Sequence, residues 1–381
     1  MSDDVVVAGA GPAGSVTALL LARAGLRVRI VERARFPRRK VCGEYLAAGA
    51  VDALERLGLA DAVAPHAMRL SGVRLCAAGV PVVTLPFARR ALSCTREQLD
   101  ATLLDAARAA GAVLERARVE DVVLDAGRCV GVRVRDESGE LGERRAAVVI
   151  GADGSGSVVA RKLGLATRAH GGRYAVGGHY EGFTTDGHIE MYAGGGAYFA
   201  LNPIDAQRTN VMVVVPRTQL ARWSADVDAG LGGAAAVLGG GRRSFEGAVR
   251  VGPRVSSGPL AYRTRSPVAP GALLVGDAAG FVDPFTGQGV LLALTGAERA
   301  AHAVLARDHE AYAAWRSSDA AWRARLCRTI AAMIALPPLA RRAARGLERY
   351  PRAAGELLDA LGGLRPPRSA FTPSVLGRLL A

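Results

Sequence analysis

The sequence has few residues that could bind a metal or form disulfides. Its five cysteines are an odd number, lie far apart and show no CxxC spacing, which argues against a disulfide framework and a structural zinc site. The six histidines show no HxH or HExxH spacing, so no metal site is expected. A GxSxG nucleophile turn is also missing. The sequence therefore predicts a protein of a reducing compartment that does not use a metal.

Long apolar runs are missing as well. No run approaches the roughly 18 residues that a membrane span needs, and the N-terminus enters a β-branched run at Val5 without a basic segment or a cleavage site. Half of the 381 residues are hydrophobic, which is enough for a large core divided into two or three lobes. We therefore expect an ordered cytoplasmic protein.

Lysine is nearly absent, since Lys40 and Lys162 are the only two and the other basic residues are arginines. A net charge of +14 would ordinarily suggest nucleic acid as a partner. However, an arginine-, alanine- and glycine-rich composition is typical of a genome-wide codon preference, and no strip of aromatic and basic residues accompanies the charge. Nucleic acid is therefore not an expected partner. For the basic stretch near the C-terminus, a solvated helix face is favoured and contact with an anionic membrane is the alternative; it comprises Arg341, Arg342, Arg345, Arg349 and Arg352.

The first 32 residues predict a strand, a glycine turn, a helix and a second strand. The turn has the spacing Gly9-x-Gly11-x-x-Gly14, and Glu32 ends the second strand. In such a unit the glycines allow a tight turn and close approach of a pyrophosphate to the helix N-terminus, while the acidic residue accepts hydrogen bonds from a ribose. This pattern predicts a dinucleotide site but does not choose between NAD and FAD.

Two distant segments resemble the other fingerprints of a known family. They are GADGSGSVVARKLG at 151–164 and LLVGDAAGFVDPFTGQGV at 273–290, and with the first turn they resemble the para-hydroxybenzoate hydroxylase and geranylgeranyl reductase superfamily of flavoproteins. The resemblance implies FAD as the cofactor and NAD(P)H as a transient reductant, because no second GxGxxG is present. It also implies a set of cofactor contacts: Gly9, Gly11, Ala13, Gly14, Glu32, Arg33, Cys42, Arg96, Val119, Asp153, Asp277, Pro284, Gly287 and Gly289.

The segment KVCGE at 40–44 resembles the corresponding stretch of geranylgeranyl and menaquinone reductases, in which the cysteine lies near the flavin. Cys42 and Glu44 are candidate catalytic residues on this basis, with Glu44 and Tyr45 on the substrate side. Tyr198 is a third candidate, because GGAYFALNPI at 195–204 occupies the place where reductases of isoprenoid chains carry an aromatic P-Y-x-W-x-F-P pattern. A buried thiol that only packs is the alternative for Cys42, and an ordinary core aromatic is the alternative for Tyr198. Flavin-dependent halogenases carry a further lysine and a W-x-W-x-I-P motif that this chain does not have, so halogenation is not expected.

The predicted fold is α/β: a Rossmann-type FAD-binding domain with an interleaved antiparallel β-sheet substrate domain and a helical C-terminal region. The FAD-binding domain is assigned to 1–70, 92–168 and 265–305, the substrate domain to 71–91 and 169–264, and the helical region to 306–381. The favoured activity is NAD(P)H-dependent hydroxylation of an apolar, aromatic or polyketide-like small molecule. Reduction of a C=C bond, as in geranylgeranyl reductases, is the alternative.

Overall fold

The computed structural model of the chain describes residues 3–380 apart from 78–79, 81, 168–171, 184, 195–196, 226–244, 246, 261 and 282. Strands and helices alternate in its first third, and the last quarter is helical. The strands are β1 Asp3–Ala8, β2 Val28–Glu32, β3 Tyr45–Leu46, β4 Ala67–Ala77, β5 Val83–Cys94, β6 Val113–Asp125, β7 Arg128–Asp136, β8 Leu141–Gly151, β9 Ala166–Thr167, β10 Arg173–Glu181, β11 His188–Gly194, β12 Ala197–Pro203, β13 Thr209–Pro216, β14 Val249–Ser257, β15 Arg263–Thr264, β16 Val268–Ala269 and β17 Ala272–Leu274.

The α-helices begin and end close to the sequence signals for them. Thr95 caps the fourth helix by accepting a hydrogen bond from the Gln98 N–H, and Pro337 and Pro351 each begin a helix, as expected at the first helical position. The helices are α1 Pro12–Arg23, α2 Ala48–Arg56, α3 Ala60–Val63, α4 Arg96–Ala109, α5 Val158–Lys162, α6 Arg217–Ala225, α7 Gly289–Ala306, α8 His309–Ala335, α9 Pro337–Arg349 and α10 Pro351–Gly362.

The first sheet is the predicted Rossmann unit. Strand β1 lies between β2 and β8, and β6 and β17 add to the outer sides, all in parallel. Four residues of β1, from Val5 to Ala8, are fully buried, as expected for a central parallel strand. Helices α1, α4 and α7 pack together on one face in the largest apolar core. The carboxyl ends of these strands therefore meet at one edge, where the candidate cofactor turns lie.

The second sheet has the strand order β14, β10, β13, β12, β11, β4, β5, β3. Its strand pairs are antiparallel except for β4 with β11, which are parallel because the β4–β5 hairpin comes from an earlier excursion of the chain. Side chains of β12 alternate between the faces: Phe199 and Leu201 enter one core, whereas Tyr198 and Ala200 face a large cavity. The fold class predicted from sequence is confirmed.

The C-terminal helices close the far end of this cavity. Ala344, Leu347 and Leu379 pack against Val83 and Leu85 of β5. Among the described residues, α7 is the one helix long and apolar enough to cross a membrane, but it is mostly buried and packs against α1 and α2. It is therefore a core helix of the nucleotide-binding lobe.

Candidate FAD site and adjoining cavity

The first glycine turn is shaped by contacts that leave no room for side chains at two of its positions. Gly9 has a φ of +102°, and a Cβ there would lie 2.6 Å from the carbonyl oxygen of Ala152. A Cβ at Gly14 would overlap the carbonyl oxygen of Gly9. Gly11 differs, because the nearest atom to a Cβ there is Nη2 of Arg38 at 3.8 Å. The open side of the turn thus lies at Gly11, the N-cap of α1, as needed for a pyrophosphate.

Glu32 lies beside this turn and is buried. Its Oε2 accepts a hydrogen bond from the N–H of Ala10 at 2.9 Å, and its Oε1 accepts one from Ala34 at 2.8 Å. A carboxylate has further lone pairs, so these bonds fix its position while leaving capacity for a ribose. Arg33, next in the chain, is exposed, and Val119 lies half-buried on β6 opposite Val134. The cofactor contacts of Glu32, Arg33 and Val119 stay predictions.

The second fingerprint turn borders the cavity. Ala152, Gly154 and Ser155 line it, whereas the carboxylate of Asp153 accepts hydrogen bonds from the N–H groups of Val158 at 2.6 Å and Val159 at 3.3 Å. Burial raises the pKa of Asp153, and these bonds oppose that effect. The side chain of Asp153 therefore caps the start of α5, and its contact with the cofactor stays a prediction.

The third turn meets the first. Gly276 has a φ of +57°, and a Cβ there would lie 2.8 Å from the Cβ of Ala13 at the start of α1. Asp277 follows it in a 3-10 turn and lines the cavity, as do Pro284, Gly287 and Gly289. Gly289 begins α7, so the unpaired N–H groups and positive dipole end of this 18-residue helix lie at the cavity edge. Turns predicted from three distant segments are thus brought together.

The loop containing Cys42 is held from the second sheet. The side-chain amide of Asn210 donates a hydrogen bond to the carbonyl oxygen of Cys42 at 2.7 Å. The side-chain amide of Asn202 donates one to the carbonyl oxygen of Gly43 at 2.8 Å. Cys42 lines the cavity, and its Sγ accepts a hydrogen bond from the N–H of Glu44. Burial raises the pKa of Cys42, although the nearby Arg96 opposes the shift. The thiol is therefore neutral at physiological pH.

Glu44 supports this loop. It has a left-handed φ of 56°, its Oε1 accepts a hydrogen bond from the N–H of Arg96 at 3.0 Å, and its Oε2 lies 2.8 Å from Nε2 of His179. Both residues of the Glu44–His179 pair are more than nine-tenths buried. A carboxylate with these partners positions the loop, and a catalytic role for Glu44 stays a prediction.

Arg96 is buried at the first position of α4. Its guanidinium makes two hydrogen bonds of 2.7 Å to Asp100, which is completely buried and also lies 3.4 Å from Nη1 of Arg38. Although burial disfavours the charged form, Asp100 outweighs it and raises the pKa of Arg96. Because Arg96 also lines the cavity and approaches Cys42, it connects the nucleotide lobe with the Cys42 loop.

Tyr198 lies at the opposite wall. Its O–H donates a 2.8 Å hydrogen bond to Asp283, and its ring packs edge-on against Phe285 with centroids 5.0 Å apart. Burial, and then the charge of Asp283, raise the pKa of Tyr198 well above its usual value. The Tyr198 proton is therefore directed at Asp283.

Two cations at this site were missed by sequence reasoning. Lys40 reaches into the cavity beside Gly154: a Cβ added to Gly154 would lie 3.3 Å from Nζ of Lys40. Arg38 approaches Gly11 in the same way. Burial lowers the pKa of Lys40, with the charge of Arg96 adding to this and that of Asp277 opposing it. Lys40 begins the KVCGE stretch, but that resemblance drew attention to Cys42 and assigned no role to the lysine. Between the glycine turns, both cations suit a pyrophosphate, so the residues present fit FAD.

Replacing Lys40 by methionine is expected to raise the Kd for FAD about tenfold. A hydrogen bond to a charged group is typically worth ~1.5 kcal/mol, and methionine keeps the length of the side chain without its charge. Titration of the apoprotein with FAD, followed by flavin fluorescence, measures the change. Lys162→Met is the matched control, because Lys162 is half-exposed and pairs with Asp121 on the surface. Equal affinities in the two variants would contradict the assignment of Lys40.

The cavity extends well beyond the nucleotide turns and has a volume of about 450 Å³. Its far half runs between the second sheet and the C-terminal helices. This part is lined by aliphatic side chains, including Val73, Leu75, Val83, Leu85, Leu347, Leu358 and Leu379. The site thus combines a polar slot for a dinucleotide with an apolar chamber beside it.

A polar slot formed by three converging turns, next to an apolar chamber, is the arrangement expected of the class of FAD-dependent oxidoreductases. The family model "FAD binding domain" matches residues 2–307, so the chain belongs to this family. It is 31% identical to a menaquinone reductase of Mycolicibacterium smegmatis, over 75% of this chain and 72% of that protein. It is 32% identical to digeranylgeranylglycerophospholipid reductase 2 of Methanopyrus kandleri, over 76% and 74%. The structure of the flavin-dependent brominase Bmp2 shares the fold, with a TM-score of 0.87 at 24% identity over 99% of this chain and 98% of that one.

Proposed function

We propose that this chain is a flavin-dependent reductase of a C=C bond in an elongated apolar molecule. The observation that carries the proposal is the position of the Cys42 thiol in the wall of the cavity, where the cofactor slot meets the apolar chamber. Reduction of an alkene needs a hydride and a proton, and bound FAD, reduced by NAD(P)H, would supply the hydride. The two relatives named above are reductases, which supports reduction of the substrate.

The chain's own residues would provide the proton and the dry environment. Cys42 is the better acid of the two candidates, because the Tyr198 proton is directed at Asp283, whereas the sulfur of Cys42 is an acceptor, from the N–H of Glu44 and from the side chain of Arg96. The positive charge of Arg96 would also stabilise the thiolate that is left when the proton is given up. The thiol would protonate one alkene carbon as the other receives the hydride, and solvent would then reprotonate the thiolate. The aliphatic walls exclude water and leave the substrate to be held by its shape.

Substitution of Cys42 provides a test. Cys42→Ala is expected to lower kcat about 100-fold, a typical loss when a general acid is removed, while Cys42→Ser keeps part of the activity. The Kd for FAD should change less than threefold in both variants, roughly within 0.7 kcal/mol. Single-turnover measurements with reduced enzyme and an isoprenoid alkene distinguish the steps. Full activity of Cys42→Ala would show that the thiol only packs.

Hydroxylation remains the second candidate, because the dry apolar chamber suits delivery of an activated oxygen atom and this reaction needs no acid from the chain. The two reactions differ in their requirement for O₂. Anaerobic turnover that adds two hydrogen atoms to the substrate supports the reductase, whereas turnover only in air with one oxygen atom added supports the monooxygenase. The free state of all five cysteines supports a cytoplasmic location, and a small apolar substrate is the partner that we propose.

A further inference from the structure

The turn between α8 and α9 exposes a group of apolar residues. Leu336 is 56% exposed, and Ala331, Ala332, Ala335, Pro337 and Pro338 around it are also exposed. We call residues 328–349 the α8–α9 corner. A contiguous exposed apolar patch of this kind marks a site of contact with a partner or a membrane.

The inner side of the same corner forms a wall of the cavity. Ile330, Met333 and Ile334 of α8 and Ala340 and Ala343 of α9 line it. The chamber for the substrate and the exposed apolar patch are therefore separated by a single layer of helix. An apolar molecule that enters past this layer moves from one apolar surface to another without crossing water.

The corner is strongly basic. Between residues 328 and 349 there are five arginines and one acidic residue, Glu348. On α8, Arg328 lies on the same exposed face as the exposed alanines. On α9, Arg345 and Arg349 lie on the same exposed face as Pro338. An apolar tip flanked by arginines is the arrangement that binds the interface of an anionic bilayer.

We propose that the α8–α9 corner docks on an anionic lipid bilayer and admits the substrate from it. A second copy of the chain would place arginines against arginines, and an acidic protein would account for the charge but not for the apolar tip. The sequence favoured a solvated helix face for the C-terminal arginines, whereas this proposal places them in contact with a membrane. The delivery of substrate rests on the proposed function, but the docking itself does not.

Sedimentation with vesicles tests the docking without any turnover. The FAD-loaded full chain is mixed with vesicles of phosphatidylcholine alone or with one third phosphatidylglycerol. We expect binding to the anionic vesicles that weakens as salt is raised. Each neutralised arginine should lower the partition about fivefold, so that Arg328→Gln, Arg345→Gln and Arg349→Gln together lower it roughly 100-fold. Leu336→Glu should also weaken binding at least tenfold, because it places a charge at the inserting tip.

The matched control carries Arg108→Gln, Arg118→Gln and Arg133→Gln, three exposed arginines of the nucleotide lobe that change the net charge by the same amount. It should bind the vesicles within about threefold of the unmodified chain. An equal loss in both triple variants would overturn the proposal, because binding would then depend on net charge alone. A chain that stays in the supernatant with both vesicle types would also overturn it and leave an acidic protein as the partner of the arginines. Retained FAD absorbance shows that each variant is folded.

Discussion

Replacing Gly11 by alanine is expected to raise the Kd for FAD about 100-fold, ~3 kcal/mol, while the apoprotein keeps its melting temperature. The added methyl group meets no protein atom closer than 3.8 Å, and the φ of −72° at this position suits alanine. The methyl group instead occupies the open side of the turn, where the pyrophosphate would approach the helix N-terminus. Titration with FAD and thermal denaturation of the apoprotein measure the two effects separately.

Two other glycines serve as controls. Gly14→Ala should destabilise the apoprotein itself, because its methyl group would overlap the carbonyl oxygen of Gly9. The methyl group of Gly355→Ala in α10 would meet no atom within 4 Å. This variant should therefore leave the Kd for FAD unchanged and should not destabilise the apoprotein. If Gly11→Ala bound FAD as the unmodified chain does, the pyrophosphate would not lie at this turn.

Replacing Arg96 by methionine is expected to destabilise the apoprotein by about 3 kcal/mol, the lower end of the cost of breaking a buried ion pair. Asp100 would lose both 2.7 Å hydrogen bonds and keep the ion pair with Arg38 at 3.4 Å. Urea denaturation measures the change in the free energy of unfolding. The variant should also bind FAD more weakly, since Arg96 lines the cavity.

A double variant tests whether the loss of stability comes from the ion pair between Arg96 and Asp100. Asp100→Leu alone leaves Arg96 buried without its carboxylate, whereas Arg96→Met with Asp100→Leu removes both charges. We expect the double variant to cost less than the sum of the single variants, because an isolated buried charge is worse than none. Strict additivity would mean that the two residues contribute to stability independently.

Local patterns account for what the sequence could predict. The Gly9, Gly11 and Gly14 spacing lies within one strand-turn-helix unit, and the apolar period of α4 spans only a few turns. Such signals act over short distances and need no knowledge of the tertiary structure. The convergence of the three turns was accessible only through resemblance, because nothing in residues 273–290 alone specifies that Gly276 touches Ala13.

Contacts between distant residues were not predictable in this way. Glu44 and His179 are 135 positions apart, and neither belongs to a spacing that indicates a pair. Asp153 illustrates a different limit, because its fingerprint was visible but the direction of its side chain, toward the start of α5, depends on local backbone geometry. The parallel pairing of β4 with β11 likewise depends on where an excursion of the chain rejoins a sheet formed by later residues.

The order of strands in the first sheet limits where the chain could be divided into separately produced fragments. Strand β8 pairs in parallel with β1 and with β17, so its two parallel neighbours come from opposite ends of the family-matched region. A fragment ending near residue 168 would leave one side of β8 without its partner and expose unpaired backbone groups that promote aggregation. Any attempt to produce an isolated cofactor-binding module should therefore fuse residues 265–306 to the N-terminal segments in a single polypeptide.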